Sequence, residues 1–233
     1  MYEKPIGSLY NARRASPLLD LIKMHVQGKA MKKDLFFALI AYFFLLIASF
    51  IVSITLGFGR AESSRELSSL LWYGRRGAMV VAAIAIPWFT KKQTLSALGW
   101  QFPGRWLLFS CGIGLCLGFF NKGGFDPRTP AAFPLAIFHT FAMELFFRGY
   151  LFKTLDSSIQ GLWKPILISS FLYSLFYQTM WTTWVQPATG KIGLGIIFFF
   201  IGAVFAYSYK KSGSFLVNWT MHIFVGLKIR LLI

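Results

Sequence analysis

Of the eight carboxylates in this 233-residue chain, seven lie in the N-terminal arm, in connecting segments or at the ends of apolar runs. Glu144 is the exception, set among Phe138, Phe141, Leu145, Phe146 and Phe147. An ionisable group inside an apolar segment costs roughly 2.5–3.5 kcal/mol on insertion scales, so it faces a partner or a wet cavity. Arg148 follows four residues on, which puts it on the same helical face and within pairing reach. Such a pair serves either a reactive interior site or helix packing as a buried ion pair. His139 and His222 also fall in apolar runs, where an imidazole is a helix-to-helix hydrogen-bond donor or an acid–base group. His139 stands five residues, about 140° of helix, from Glu144, so these two do not meet side by side. His222, from another segment, is the expected companion, and Glu144 with His222 are the catalytic candidates. One Glu and two separated His give no paired histidine ligands, so no metal is expected. The Gly-rich pieces lack a phosphate-binding lysine context, and no cofactor is expected either.

The elements that must hold these groups are apolar helices. Hydrophobic residues make up 56% of the chain and charged ones 14%, with 26 Phe and a mean hydropathy of +0.58. That composition predicts an all-α, polytopic transmembrane helix bundle with the lipid bilayer as its first partner. The net charge of +16 sits mainly between apolar runs, where cations anchor helices at anionic headgroups, and nucleic acid is not an expected partner. Cys111 and Cys116, five residues apart in one run, form neither a disulfide framework nor a zinc knuckle and read as packing residues.

Residues 1–34 form a basic juxtamembrane arm with a short interfacial helix expected near 17–26. The first apolar run starts only at Leu35, too late for a cleavable signal peptide. Residues 35–233 form one membrane-embedded domain. Charge-free 35–58 spans outright; 77–90 must borrow 67–73 and let Arg75 and Arg76 snorkel or face protein. Further helices are expected over 106–120, 130–155 with Thr129 as N-cap and Pro130 as first helical residue, 165–185, 192–209 and 214–227. That makes seven, or eight if the arm inserts. Alternating the loops puts 15 of the 24 cations on the N-terminal side, which favours a cytoplasmic N-terminus in a bacterial plasma membrane or an organellar one.

Three segments carry a family resemblance. Met143-Glu144-Leu145-Phe146-Phe147-Arg148-Gly149-Tyr150-Leu151 resembles the first signature of the CPBP intramembrane endopeptidases, the CAAX-protease and bacteriocin-processing (Abi) family, whose pattern is Glu-Glu-x-x-x-Arg. Ser169-Ser170 through Tyr173 to Tyr177 is similar to the second, Ser-Ser followed by Phe-x-x-x-His. Gly213-Ser214-Phe215 through His222 to Gly226 resembles the third, which ends His-x-x-x-Asn. The resemblance covers roughly 130–230 and implies a CPBP-like helical core and metal-independent peptide hydrolysis inside the membrane.

The departures fall on the chemistry. The resemblance assigns activation of water to the first glutamate and the second-signature histidine, and oxyanion support to the third-signature histidine and asparagine. Those positions hold Met143, Tyr177, His222 and Gly226. Methionine takes no proton from water, a phenol with an unperturbed pKa near 10 replaces imidazole badly, and glycine offers no side-chain donor. Arg148, His139 and Tyr177 therefore read as binding residues. Three substitutes are open: Glu144 as base, His139 one turn before Met143, or amide donors from Gln178 and Asn218. The leading expectation is a degenerate member, a pseudoenzyme, that binds a membrane peptide, prenylated peptide or partner protein. The alternative is an active CAAX-type endopeptidase with a rearranged Glu/His site.

Overall fold

Seven continuous helices dominate the residues described by the computed structural model, namely 17–58, 64–91, 94, 96–120, 125–181, 188–228 and 231. They are α1 (Pro17–Phe58), α2 (Ser64–Lys91), α3 (Gly104–Phe120), α4 (Ala132–Ser158), α5 (Trp163–Trp181), α6 (Ala188–Ser212) and α7 (Phe215–Gly226). A 3₁₀ turn, Ser96–Leu98, precedes α3, and a lone bridge pairs Phe125 with Leu227. Among the described residues there is no strand, as the all-α reading expects.

Among the described residues the N-terminal arm adds no eighth helix. Its helix begins at Pro17 but continues unbroken into the span, giving 42 residues and about 63 Å at 1.5 Å per residue, twice the hydrocarbon thickness. The apolar half, Lys33–Ser53, is long enough to cross a membrane. Residues 1–16 of the arm lie outside the described residues.

The start of α4 also differs from expectation. Thr129 does not cap the helix: Ala131 is the N-cap, and no side chain closes it. The Thr129 hydroxyl donates instead to the Asp126 carbonyl (2.9 Å), while the Asp126 carboxylate accepts from Arg128 Nε (3.0 Å) and Nη2 (2.7 Å). The turn thus closes on itself, and Thr129 belongs to it and not to the start of the helix. Arg128 holds the Asp126 carboxyl down at about 2.

Helix α4 is the central post. Every residue from Ala142 to Phe152 is buried, as a helix apolar on all sides must be when others surround it. Its middle, Leu145–Phe152, winds as a π-helix, a wider turn that occurs often at functional sites. Close crossings bring its neighbours in. A Cβ on Gly114 of α3 would stand 2.8 Å from the Met221 carbonyl of α7, and one on Gly202 of α6 would stand 3.1 Å from Ser170 Cα of α5. Small residues at such crossings let backbones approach where lipid supplies no hydrophobic drive between helices.

The outside is apolar: Phe36, Phe43 and Phe44 of α1, Trp88 and Phe89 of α2, Leu108 and Phe120 of α3, and Ile192, Ile196 and Phe200 of α6 are all exposed. Three helical stretches, Lys33–Ser53, Ala132–Ser158 and Ile192–Ser212, are long and apolar enough to span a bilayer. Lipid on this surface and satisfied helical backbone within it make the chain an integral membrane protein. Of the two cysteines, Cys111 is half-buried and Cys116 is exposed, so Cys116 faces outward and does not pack inside the bundle.

Candidate functional site

Glu144 reaches the bundle axis from the last residue before the π-helical segment, and it is completely buried. Its Oε1 accepts from His222 Nδ1 of α7 at 2.7 Å. A carboxylate only accepts, so Nδ1 carries a proton, and in the neutral imidazole Nε2 is left as an acceptor. The Tyr177 hydroxyl of α5 donates to that nitrogen at 3.0 Å. Three helices are thereby joined by a carboxylate–imidazole–phenol chain. The short α3–α7 crossing at Gly114 and Met221 sets the depth of His222, the next residue along α7.

On the other carboxylate oxygen, Arg148 Nε stands 3.5 Å from Glu144 Oε2, an ion pair without a hydrogen bond. Arg148 Nη2 donates to the Gly202 carbonyl of α6 (3.2 Å). Its guanidinium lies over the rings of Tyr173 (4.3 Å), Phe205 (5.3 Å) and Phe147 (5.9 Å). Aromatic faces stabilise a desolvated cation by about 2 kcal/mol, and here they supply most of the surroundings that water would have given.

His139 joins the cluster from the opposite side of α4. Its Nδ1 accepts from Arg76 Nε at 2.7 Å, and its ring meets that of His222 edge-on at 6.1 Å. Glu144 and His139 do not meet side by side; His222 lies between them and touches both. His139 is thus held by an arginine, not delivered to the place Met143 occupies.

The positions that depart from the signature patterns differ in their surroundings. Met143 is fully buried within the apolar core, against which Phe141 and Phe198 pack. Gly226 is open: a Cβ there would meet only Thr140 Cγ2, at 3.7 Å. Each amide substitute is turned toward a neighbouring helix. Asn218 does face inward, but its Nδ2 donates to the Phe205 carbonyl (2.7 Å), while Gln178 fills the notch beside Gly195. Two cavities, of about 100 and 360 Å³, are lined by Tyr150, Lys153, Asp156 and Lys210 among others, and neither reaches Glu144 or His222.

Sequence reasoning left one pair out of the site. Arg75 and Arg76 of α2 face protein, at 9% and 0% exposure, and Arg76 is the residue that grips His139. The available signal was two adjacent arginines inside a segment that had to span, a placement costing roughly 2.5–3.5 kcal/mol per residue unless something offsets it.

Residues 126–227 match a protein-family model described as type II CAAX prenyl endopeptidase, Rce1-like. That range runs from the Asp126 turn to the end of α7 and contains Glu144, Arg148, Tyr177 and His222. Curated proteins and solved structures give no match.

Proposed function

We propose, from the premise that residues 126–227 form an Rce1-like domain consistent with the CPBP family, that this protein binds a membrane peptide or partner protein without hydrolysing it. The observation that carries this reading is that the reactive groups are already engaged. Both nitrogens of His222 are occupied, by Glu144 and Tyr177, and Glu144 is shared between His222 and Arg148. A general base must reach a water beside the scissile carbonyl, and this carboxylate is committed to structure. Met143, fully apolar and buried, supports the same conclusion at the neighbouring position. The N-terminus is assigned to the cytoplasm. Setting aside the buried Arg75, Arg76 and Arg148 leaves 14 cations on that side against 7 on the other, a clearer positive-inside bias than the whole chain gives.

A second reading rests on the same chain of bonds. A hydrogen-bonded carboxylate, imidazole and phenol can pass a proton, which suits an active endopeptidase with a rearranged site. Peptide cleavage by the reconstituted protein separates the two, comparing wild type with Glu144→Gln and His222→Ala on membrane and prenylated peptides. The binding reading expects capture without cleavage. Cleavage by wild type that both folded variants lose establishes the protease.

A further inference from the structure

Three helices converge on a cavity that the Glu144–His222 cluster does not use. It has a volume of about 100 Å³ and takes its polar lining from Asp34 of α1, Thr90 of α2, and Tyr150, Lys153, Thr154 and Ser157 of α4. Asp34 is the second residue of the span Lys33–Ser53, Ser157 the last but one of Ala132–Ser158, and Thr90 the last but one of α2. The mouth therefore lies where spanning helices meet the headgroup layer. Thr90 and Ser157 are exposed there, while Tyr150, seven positions before Ser157, is buried about 10 Å deeper along the helix.

The lining is rich in acceptors and short of donors. Thr90 Oγ1 donates to the Ile86 carbonyl (2.7 Å), Thr154 Oγ1 to the Tyr150 carbonyl (2.8 Å) and Ser157 Oγ to the Thr154 carbonyl (3.0 Å). A hydroxyl has one proton, so these three oxygens turn only lone pairs to a ligand. The Asp34 carboxylate adds two more acceptor oxygens. At the inner end the Tyr150 hydroxyl is buried without a hydrogen-bond partner, and a buried polar atom in that state calls for an occupant that bonds it. Lys153 is the cation of the wall, so Asp34 and Lys153 give it one charge of each sign.

These features select among headgroups. An anion would face a carboxylate and three hydroxyl oxygens that have no proton to give it. A trimethylammonium carries no N–H and is held by cages of aromatic faces, of which Phe37 and Tyr150 supply only two. A primary ammonium brings three N–H donors to the acceptor-rich wall, and a phosphodiester on the same molecule matches Lys153. The outer surface beside the mouth is apolar: Phe36 and Phe89, next in sequence to the lining residues Phe37 and Thr90, are 61% and 83% exposed. Acyl chains have that face to lie on.

We propose that this cavity binds the ethanolamine headgroup of a membrane phospholipid, with the ammonium among Asp34 and the hydroxyl oxygens and the phosphate toward Lys153. The site is separate from the Glu144–His222 cluster and stands whether or not the protein holds a peptide. Gly149 and Tyr150 belong both to its wall and to the π-helical Leu145–Phe152, so the lipid braces the segment that carries Arg148.

Native mass spectrometry of the full-length protein in detergent micelles, titrated with phospholipids of identical acyl chains, tests the site. Wild type takes up phosphatidylethanolamine about tenfold or more tightly than phosphatidylcholine, the range for charge-assisted hydrogen bonds that the methylated amine does not form. Tyr150→Phe lowers the affinity for phosphatidylethanolamine about fivefold, Asp34→Asn removes the preference, and neither alters phosphatidylcholine binding. Equal affinity of wild type for the two lipids overturns the site, and this comparison needs no variant to fold. Tighter binding of phosphatidylglycerol than of phosphatidylethanolamine assigns the cavity to an anion and overturns the proposal as well. A folded variant of either kind that keeps the full preference overturns the assignment to this cavity. Glycerophosphoethanolamine, the headgroup without acyl chains, does not displace the lipid at equal concentration; if it does, the ligand is a dissolved amine and the phospholipid assignment fails.

Discussion

His222 Nδ1 donates to Glu144 Oε1 across 2.7 Å, joining residues 78 positions apart in the chain at the centre of the bundle. This bond decides how the remaining polar groups are arranged. With Nδ1 committed, Nε2 is left to the Tyr177 hydroxyl, and with Oε1 committed, Oε2 is left to Arg148. Tyr177, at the second-signature histidine position of the pattern the chain resembles, thus ends a chain of hydrogen bonds that begins at Glu144.

The two bonds to His222 differ in what their loss leaves behind. Tyr177→Phe removes a neutral donor and should cost about 1 kcal/mol of stability, a typical net hydrogen-bond contribution. Glu144→Gln removes the counter-charge of a fully buried guanidinium and should cost about 3–5 kcal/mol. Unfolding midpoints in mixed micelles measure both, and equal losses would contradict this arrangement.

Arg148 gives a complementary expectation. Replacing one partner of a buried pair strands the other, whereas replacing both with apolar side chains is often close to neutral. Glu144→Leu combined with Arg148→Met should therefore be more stable than either single variant. A double variant whose loss is the sum of the single losses would show that the pair is not coupled.

The sequence makes the helices legible because charged and turn-forming residues set off the apolar runs, and periodicity hardly matters when a helix is wetted by lipid. It also makes Glu144, Arg148 and His222 legible, since ionisable groups in such runs have few places to go. Other features depend on contacts that spacing does not encode. Nothing local announces the π-helical Leu145–Phe152, whose Gly149 backs onto the Leu98 carbonyl, where a Cβ would stand 3.1 Å away. Arg75 and Arg76 read equally well as snorkelling flanks, and only the packing of α2 against α4 turns them inward to His139. Thr129 does not serve as the cap because the helix starts only at Ala132, with Ala131 as its N-cap, and Thr129 belongs to the Asp126 turn.

Two glycines of α3 make a paired test of the crossing that positions His222. A Cβ at Gly114 would stand 2.8 Å from the Met221 backbone carbonyl, while one at Gly112 would meet nothing within 4 Å. Gly114→Ala should cost about 1–3 kcal/mol through overpacking. Gly112→Ala should be neutral or stabilising by up to about 1 kcal/mol from helix propensity. Thermal melts of the two purified variants check this, and similar melts would mean that α3 does not sit against α7 as described.

The binding reading makes its sharpest prediction about restoring the lost groups together. Gly226→Asn meets only Thr140 Cγ2 at 3.7 Å for its first carbon, so a donor can be returned there without strain. Tyr177→His returns an imidazole where the phenol now caps His222, and it removes the bond that occupies Nε2. Met143→Glu is the costly step, because it places a second carboxylate in the apolar core beside Glu144, where like charges raise each other's proton affinity. Groups that work as a unit contribute little one at a time. Each single variant should therefore leave prenyl-peptide hydrolysis undetectable, and Tyr177→His with Gly226→Asn should do the same while Met143 remains. Adding Met143→Glu to that pair should produce cleavage that Glu144→Gln, made in the same background, reduces by disturbing His222. Cleavage by the two-residue variant with Met143 intact would mean that Glu144 itself serves as the base, and would favour the rearranged protease over the binding protein.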